Sequence, residues 1–398
     1  KVTFICILKA CGSIKSPELG QEIDAEIRKQ GLLGKDITLD TSLVDMYAKC
    51  GMLDKAQELF DKLPKRNVVT WTALITGYAH YELMDEALDC FMQMREERIM
   101  PNSVTFICIL KACGSIGALK TGEEIHTEVS KQGLLQRDIV IGTAMVDMYA
   151  KCGMLAKAKK VLEELPYRNV VSWNALISGY VQQEKCHEAL HYFQSMQREG
   201  ISPDAVTFVC VLQACGRTQC IEKGKQIHDV LVARGLLGKD IVLGNALVDM
   251  YAKCKVLTKA RKVFEELVTR NVASWNALIA GYAQQGQVHE ALSCFEQMER
   301  EGFRPDAVTF ICILKACSKT RSIEKGKQVH DKILNRGFLE KDSVLGNALV
   351  DMYAKCGVLE KAKEVLEALP IQDATSWNAL ISGYEHQGKC NESLKCFD

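Results

Sequence analysis

Between Ala273 and Asp306 the apolar positions fall into two helical stripes. Trp275, Leu278, Ile279 and Tyr282 recur at spacings of three and four, and Gly286 closes the run. Ala291, Leu292, Phe295 and Met298 form the second stripe, closed by Gly302 with Pro305 just beyond. Each stripe predicts a helix of about three turns, too short to persist alone in water. Together they predict a helical hairpin whose apolar faces need neighbours.

The neighbours are copies of it. Trp71, Trp173, Trp275 and Trp377 each lie 102 residues after the one before, as do Asp45, Asp147, Asp249 and Asp351 in the recurring DMYAKC. Phe4, Phe106, Phe208 and Phe310 keep the same interval. A fixed period without insertion or deletion predicts an all-α repeat array rather than two or three globular domains. Each period divides into hairpins of 36, 31 and 35 residues. The unit boundaries run 1–36, 37–67, 68–102, 103–138, 139–169, 170–204, 205–240, 241–271, 272–306, 307–342, 343–373 and 374–398, the last incomplete. Lys1 falls in frame at the start of a unit and Asp398 stops inside a second helix, so the chain reads as a piece of a longer array. Gly77, Gly179, Gly281 and Gly383 sit inside predicted helices, where glycine costs about 1 kcal/mol against alanine. Close approach of an adjacent helix is the expected reason.

Composition narrows the function classes. No apolar run reaches transmembrane length and no signal-peptide pattern opens the chain, so no membrane partner is expected. The 18 cysteines mostly recur with the period, as Cys6/Cys11 and Cys50 do with their copies. That recurrence, without CxxC spacing, predicts small buried hydrophobes in a reducing compartment rather than disulfides or a metal site. His126, His228 and His330 also recur, with Asp24 in the first copy, and are expected to be structural or hydrogen-bonding groups. A zinc deaminase signature, a phosphate-binding glycine loop and a nucleophile elbow are all lacking. No catalytic residue, metal or cofactor is expected. Lys+Arg 50 against Asp+Glu 50 gives no net charge, so a nonspecific counterion-releasing nucleic-acid binder is disfavoured, though a local lysine stripe can still line a groove.

Against these near-verbatim core copies, two places vary within a narrow chemical choice. The fifth residues of the 35- and 31-residue units are Thr72, Asn174, Asn276 and Asn378, and Thr41, Thr143, Asn245 and Asn347. The matching last residues are Asn102, Asp204 and Asp306, and Asn67, Asn169, Asn271 and Asp373. Each side chain is short and makes one or two directed hydrogen bonds, and the hairpin geometry brings both places to one rim. Helix N-capping is the competing explanation for the last residues. Second residues are mostly valine (Val69, Val140, Val171, Val242 and Val344), suited either to a base face or to packing between repeats.

The stretch VSWNALISGY with its downstream HEAL, F, M, G and PD resembles the pentatricopeptide repeat. The alternation of 36, 31 and 35 residues resembles the L, S and P units of the plant PLS subclass, across essentially the whole chain. The resemblance implies a right-handed α-solenoid superhelix of tandem helix-turn-helix repeats. It also implies binding of single-stranded RNA, one nucleotide per S or P unit, in a plastid or mitochondrion, most plausibly to choose C-to-U editing sites. In the family the fifth and last residues read the base and the second residue sandwiches it. L units begin with Ile5, Ile107, Val209 or Ile311 at the fifth place, and the family implies a multiple organellar RNA editing factor bound through them. A deaminase domain would lie in a missing C-terminal part or act in trans. Two other readings are a protein-binding scaffold of the tetratricopeptide type, which the 36/31/35 alternation disfavours, and a designed consensus array.

The bases follow from hydrogen-bond chemistry and the family's code. An Asp end residue only accepts, which suits the imino N–H of uracil or guanine; an Asn end residue donates, which suits the ring nitrogen of adenine or cytosine. In the family threonine at the fifth place goes with purines and asparagine with pyrimidines. Thr41/Asn67, Thr72/Asn102 and Thr143/Asn169 then read A. Asn174/Asp204, Asn276/Asp306 and Asn347/Asp373 read U, and Asn245/Asn271 reads C, with U as its second choice. With N at each L unit the site is A-A-N-A-U-N-C-U-N-U, running 5′ to 3′ with the chain.

Overall fold

Polar caps start the helices at the places where the sequence changes from charged to apolar. In the computed structural model, Asn169 accepts the Ser172 backbone N–H at 2.9 Å, and the helix Val170–Gln182 begins. Ser172 returns the contact to the Asn169 N–H at 3.0 Å, completing a capping box. Asn67, Asn102, Asn271, Asp306 and Asp373 open their helices by the same side-chain cap. The second helix of each hairpin lacks a side-chain cap and starts directly from a tight turn, as Cys186–Arg198 does from Lys185.

The structure describes residues 1–339 and 342–396; the end of the last hairpin at Asp398 lies outside them. Among the described residues there are 24 α-helices and one short 3₁₀ turn, with no strand. The second period shows the plan: Ser103–Ile116 with Leu119–Lys131, Ile139–Lys151 with Leu155–Glu164, and Val170–Gln182 with Cys186–Arg198. The 3₁₀ turn Leu134–Gln136, absent from the sequence reading, fills the longest connection, between Gly133 and Asp138.

The chain forms two compact units, Lys1–Thr207 and Phe208–Asp398. In the first, the helices Val2–Ile14, Ile37–Lys49 and Val68–His80 pack each on the next. In the second, Ile241–Lys253, Val272–Gln284, Ala307–Thr320, Ser343–Lys355 and Ala374–His386 do the same. Each unit is a helical-hairpin stack, and the fold is of the all-α solenoid class.

The helix glycines have the expected cause. A Cβ on Gly77, Gly179 or Gly281 would lie only 2.6, 2.5 and 2.5 Å from the Cβ of Ala48, Ala150 and Ala252. The alanine of DMYAKC on one first helix thus meets the glycine of the next. Trp71 and Trp275 are fully buried and Trp173 nearly so, while Trp377 is half-buried. The edge contacts Phe60–Trp71 and Phe264–Trp275, each with ring centroids 4.5 Å apart, tie a second helix to the hairpin that follows.

A staple unforeseen from the sequence reinforces that contact. The Arg66 guanidinium stacks over Phe60 at 4.7 Å and donates to Glu97 at 2.7 Å, and Glu97 in turn accepts the Trp71 indole N–H at 3.2 Å. Arg168 pairs with Glu199, and Arg270 stacks over Phe264 at 4.9 Å and lies 3.6 Å from Glu301. In the fourth period Gln372 stands at the arginine position.

His126, His228 and His330 are hydrogen-bonded to the Tyr149, Tyr251 and Tyr353 hydroxyls at 2.8, 2.8 and 2.9 Å. In the first period the Tyr47 hydroxyl donates to Asp24 at 2.7 Å instead. Burial lowers the pKa of all three histidines, which keeps them neutral partners of tyrosine. The cysteines need a correction. None of the 18, all among the described residues, is joined in a disulfide, and Cys11, Cys113, Cys215 and Cys317 are buried as expected. Cys6 is exposed, however, and Cys50, Cys152, Cys254 and Cys356 are only half-buried. A spacing of five places Cys6 and Cys11 on different faces, and in the later copies the face of Cys6 is covered too, with Cys108 and Cys312 half-buried and Cys210 buried.

Candidate functional site

The fifth and last residues do come together. Asn174 Nδ2 donates to Asp204 Oδ1 at 2.9 Å, and Asn276 Nδ2 donates to both Asp306 oxygens at 3.0 and 3.2 Å. Asn347 Nδ2 donates to Asp373 Oδ2 at 2.9 Å, and Asn245 Nδ2 to Asn271 Oδ1 at 3.3 Å. Among the described residues the pairs Thr41/Asn67, Thr72/Asn102 and Thr143/Asn169 show no such bond. Thr41 and Thr72 donate instead to the carbonyls of Ile37 and Val68 at 2.6 Å, and the Thr143 hydroxyl is buried without a partner. Asn378 is exposed on the helix Ala374–His386. Part of the coordinated variation therefore has a source inside the protein: an asparagine at the fifth place is bonded to its end residue, and a threonine is not.

Capping, the competing explanation for the last residues, is present at all seven of them. Asn67, Asn102, Asn169, Asn271, Asp306 and Asp373 cap the helices that follow. Asp204 takes the Thr207 N–H at 2.9 Å in the same way. Capping and base recognition are not exclusive, because the cap fixes which atoms remain. In Asn67 the amide oxygen accepts from the N–H groups of Val69 at 2.9 Å and Thr70 at 3.0 Å, so the NH₂ must point away from the helix. Asn102, Asn169 and Asn271 commit their oxygens likewise, to Thr105, Ser172 and Ser274 at 2.9 Å. A capping asparagine thus offers only donors outward.

A capping aspartate offers only acceptors. Burial would raise the Asp204 carboxyl, but the Thr207 N–H, the Asn174 amide and the Thr207 hydroxyl outweigh it and hold the pKa below the usual carboxylate value. Asp373 is lowered too, chiefly by the Ser376 N–H and then by the Asn347 amide. Both are charged at neutral pH, with lone pairs to spare.

The second residues are open to solvent. Val69, Val140, Val171, Val242 and Val344 are between 54% and 61% exposed, which removes the alternative that they are packed away between repeats. In the L units Val2, Val104, Val206 and Val308 stand at the same place and are exposed to a similar degree or more. Their VTF context carried the signal: a valine one residue before a helix-start threonine, which is buried at Thr105, Thr207 and Thr309.

In the first unit these features line one groove of about 510 Å³. Thr41, Asn67, Thr72 and Asn102 face it, Val69 and Val104 supply apolar walls, and Lys9 and Lys49 supply positive charge. Lys49 is already paired with Asp45 at 2.6 Å, and the same DMYAK ion pair recurs at Asp147–Lys151 (2.7 Å) and Asp249–Lys253 (2.6 Å). The groove is largely apolar with a polar edge and only mildly basic, which suits a chain neutral overall. Among the described residues no group of three or more His, Cys, Asp or Glu side chains is placed to hold a metal ion.

Comparison with known proteins agrees with this architecture. The PPR repeat family matches residues 66–115, 168–217 and 270–319, and the PPR repeat matches 41–68, 143–170, 245–272, 308–338, 347–370 and 375–398. A chloroplastic pentatricopeptide repeat-containing protein of Arabidopsis thaliana is 35% identical over 99% of this chain and 48% of its own length. A mitochondrial one from the same plant is 35% identical over 100% of this chain and 57% of its own length. The chain thus spans about half the length of these relatives. Another Arabidopsis relative of the same description is 36% identical and 70% covered. Among solved structures, the pentatricopeptide repeat protein PPR10 in complex with an 18-nt psaJ RNA element is similar, with a TM-score of 0.71 over 90% of this chain and 54% of that one. At 19% identity that likeness speaks to the fold. By sequence relationship along its whole length, this chain belongs to the pentatricopeptide repeat family.

Proposed function

We propose that the chain is a PLS-type pentatricopeptide array that binds single-stranded RNA sequence-specifically, one nucleotide per S or P unit. The observation that carries this reading is the pairing of fifth and last residues with the last residue oriented by its own helix cap. Each cap leaves outward donors on asparagine and outward acceptors on aspartate, which is the difference a base edge can read. The exposed valines beside each pair suit the apolar faces of bases, and the related fold of PPR10 is solved with RNA bound. Affinity rests on directed hydrogen bonds and stacking more than on counterion release, because the net charge is zero.

The expected target is A-A-N-A-U-N-C-U-N-U. Its use is the selection of sites for RNA processing in a plastid or mitochondrion, C-to-U editing foremost; the names of the relatives, chloroplastic and mitochondrial, support the compartment. The deaminase activity that editing needs would come from a further domain or in trans. The L units, with half-buried Ile5, Ile107, Val209 and Ile311 at the fifth place, suit a protein partner of the multiple organellar RNA editing factor type.

Equilibrium binding to the expected RNA, to a scrambled RNA of equal composition and to the DNA of matching sequence tests this. The expected RNA should bind at least tenfold tighter than the scrambled one, since several wrong bases at about 1 kcal/mol each combine. Equal affinity for all three would refute the reading.

A further inference from the structure

The third residue of each unit divides the reading pairs into two classes. At every junction from a P unit to an L unit its hydroxyl reaches back to the fifth residue of the P unit. Thr207 Oγ1 lies 2.6 Å from Asn174 Oδ1 and 2.9 Å from Asp204 Oδ1, and Thr309 Oγ1 lies 2.6 Å from Asn276 Oδ1 and 2.9 Å from Asp306 Oδ1; the hydroxyl's single proton belongs to the shorter contact, since two oxygens 2.6 Å apart need a proton between them. Thr105 and Thr72 share a hydroxyl–hydroxyl bond of 2.8 Å. All three third-place threonines have no exposed surface.

At the junctions from an S unit to a P unit the same hydroxyl touches only its own cap, a contact that Thr105, Thr207 and Thr309 make in addition to the one with the fifth residue. Thr70, Ser172 and Ser376 donate to the carbonyls of Asn67, Asn169 and Asp373 at 2.9, 2.9 and 2.8 Å, and Ser274 donates to Asn271 Oδ1 at 3.0 Å. The consequence shows upstream. Asn245 Oδ1, Asn347 Oδ1 and Thr143 Oγ1, all S-unit fifth residues, are buried without a hydrogen-bond partner. Junction geometry, not the choice of serine or threonine, separates the classes, since Thr70 behaves as the serines do.

We infer that Thr207 and Thr309 are positioning residues for base recognition, holding the P-unit asparagines in one orientation and making P units stricter readers than S units. This rests on the base-reading function proposed above. Asn276 is held at both ends, its oxygen by Thr309 and its nitrogen by Asp306, so its remaining N–H has one direction. Asn347 makes the same amide–carboxylate contact with Asp373, but its oxygen is held by nothing. An amide anchored at one end pivots, and a pivoting donor discriminates less between pyrimidines.

The test compares two cap hydroxyls. Thr309→Val removes the hydroxyl at nearly constant shape, and Ser376→Ala removes the equivalent hydroxyl that touches no fifth residue. Both should lower thermal stability by weakening a capping box. Only Thr309→Val should reduce the preference for U over C at the eighth nucleotide, by about threefold to tenfold, the net worth of one hydrogen bond. Thr309→Ser should restore it. Preference for U at the eighth nucleotide that survives Thr309→Val would overturn the inference and leave base reading intact. A uniform loss of affinity for every base would reduce Thr309 to a cap and also overturn it. An unmodified chain without preference at that nucleotide would overturn base reading itself, and this inference with it.

Discussion

Trp275→Ala should destabilise the second unit by about 3–5 kcal/mol, the usual loss when a buried tryptophan is truncated. Trp275 has no exposed surface and lies edge-on to Phe264 of the preceding hairpin and 6.5 Å from Phe303 of its own. In a stack each hairpin contacts only its neighbours, so the cavity opens at one interface and uncouples the two sides. Urea unfolding followed by circular dichroism should show a new early transition rather than one shifted midpoint. Trp275→Phe should lose much less, because the Trp275 indole N–H has no hydrogen-bond partner to sacrifice. A midpoint unchanged by Trp275→Ala would mean that the tryptophan ladder does not hold the hairpins together.

Asp306→Asn should move the preference at the eighth nucleotide from U toward C, changing the ratio of the two affinities by tenfold or more, since each wrong base costs at least about 1 kcal/mol. The carboxylate accepts the Thr309 N–H at 2.9 Å and the Asn276 amide at 3.0 Å, and its free lone pairs suit the uracil imino N–H. An amide in its place keeps the cap, as Asn102 and Asn271 do, so folding should be nearly unaffected. With its oxygen committed to the cap, the new side chain turns donors outward, toward the bare ring nitrogen of cytosine. Asn245/Asn271 is already such an amide–amide pair in this chain. Binding to RNAs varied at each nucleotide should show the change there and at no other position. An unchanged preference, or a uniform loss, would count against base reading by this pair.

The sequence disclosed whatever recurs. Hairpin lengths, the tryptophan and glycine positions and the fifth and last residues could all be read from a period of 102 residues. It was silent on which recurring residues meet across a junction. Arg66 and Glu97 are 31 residues apart and Thr309 and Asn276 are 33, and periodicity alone does not pair them. The capping boxes were partly legible, since Asn102 precedes Thr105 by three and Asp306 precedes Thr309 by three. The second bond of those threonines, back to the fifth residue of the preceding hairpin, depends on how closely one helix start approaches the previous first helix. The half-burial of Cys50, Cys152, Cys254 and Cys356 was hidden for a similar reason: recurrence marks a position as constrained without saying how far it is covered.

The central claim is that S and P units read bases and L units do not. The most direct measurement is a scan of the expected RNA, A-A-N-A-U-N-C-U-N-U, replacing one nucleotide at a time and recording each Kd. The account predicts a comb: about fivefold loss or more at the first, second, fourth, fifth, seventh, eighth and tenth nucleotides, and none at the third, sixth and ninth. A profile flat along the RNA, or one whose silent positions fall out of phase with the L units, would contradict it.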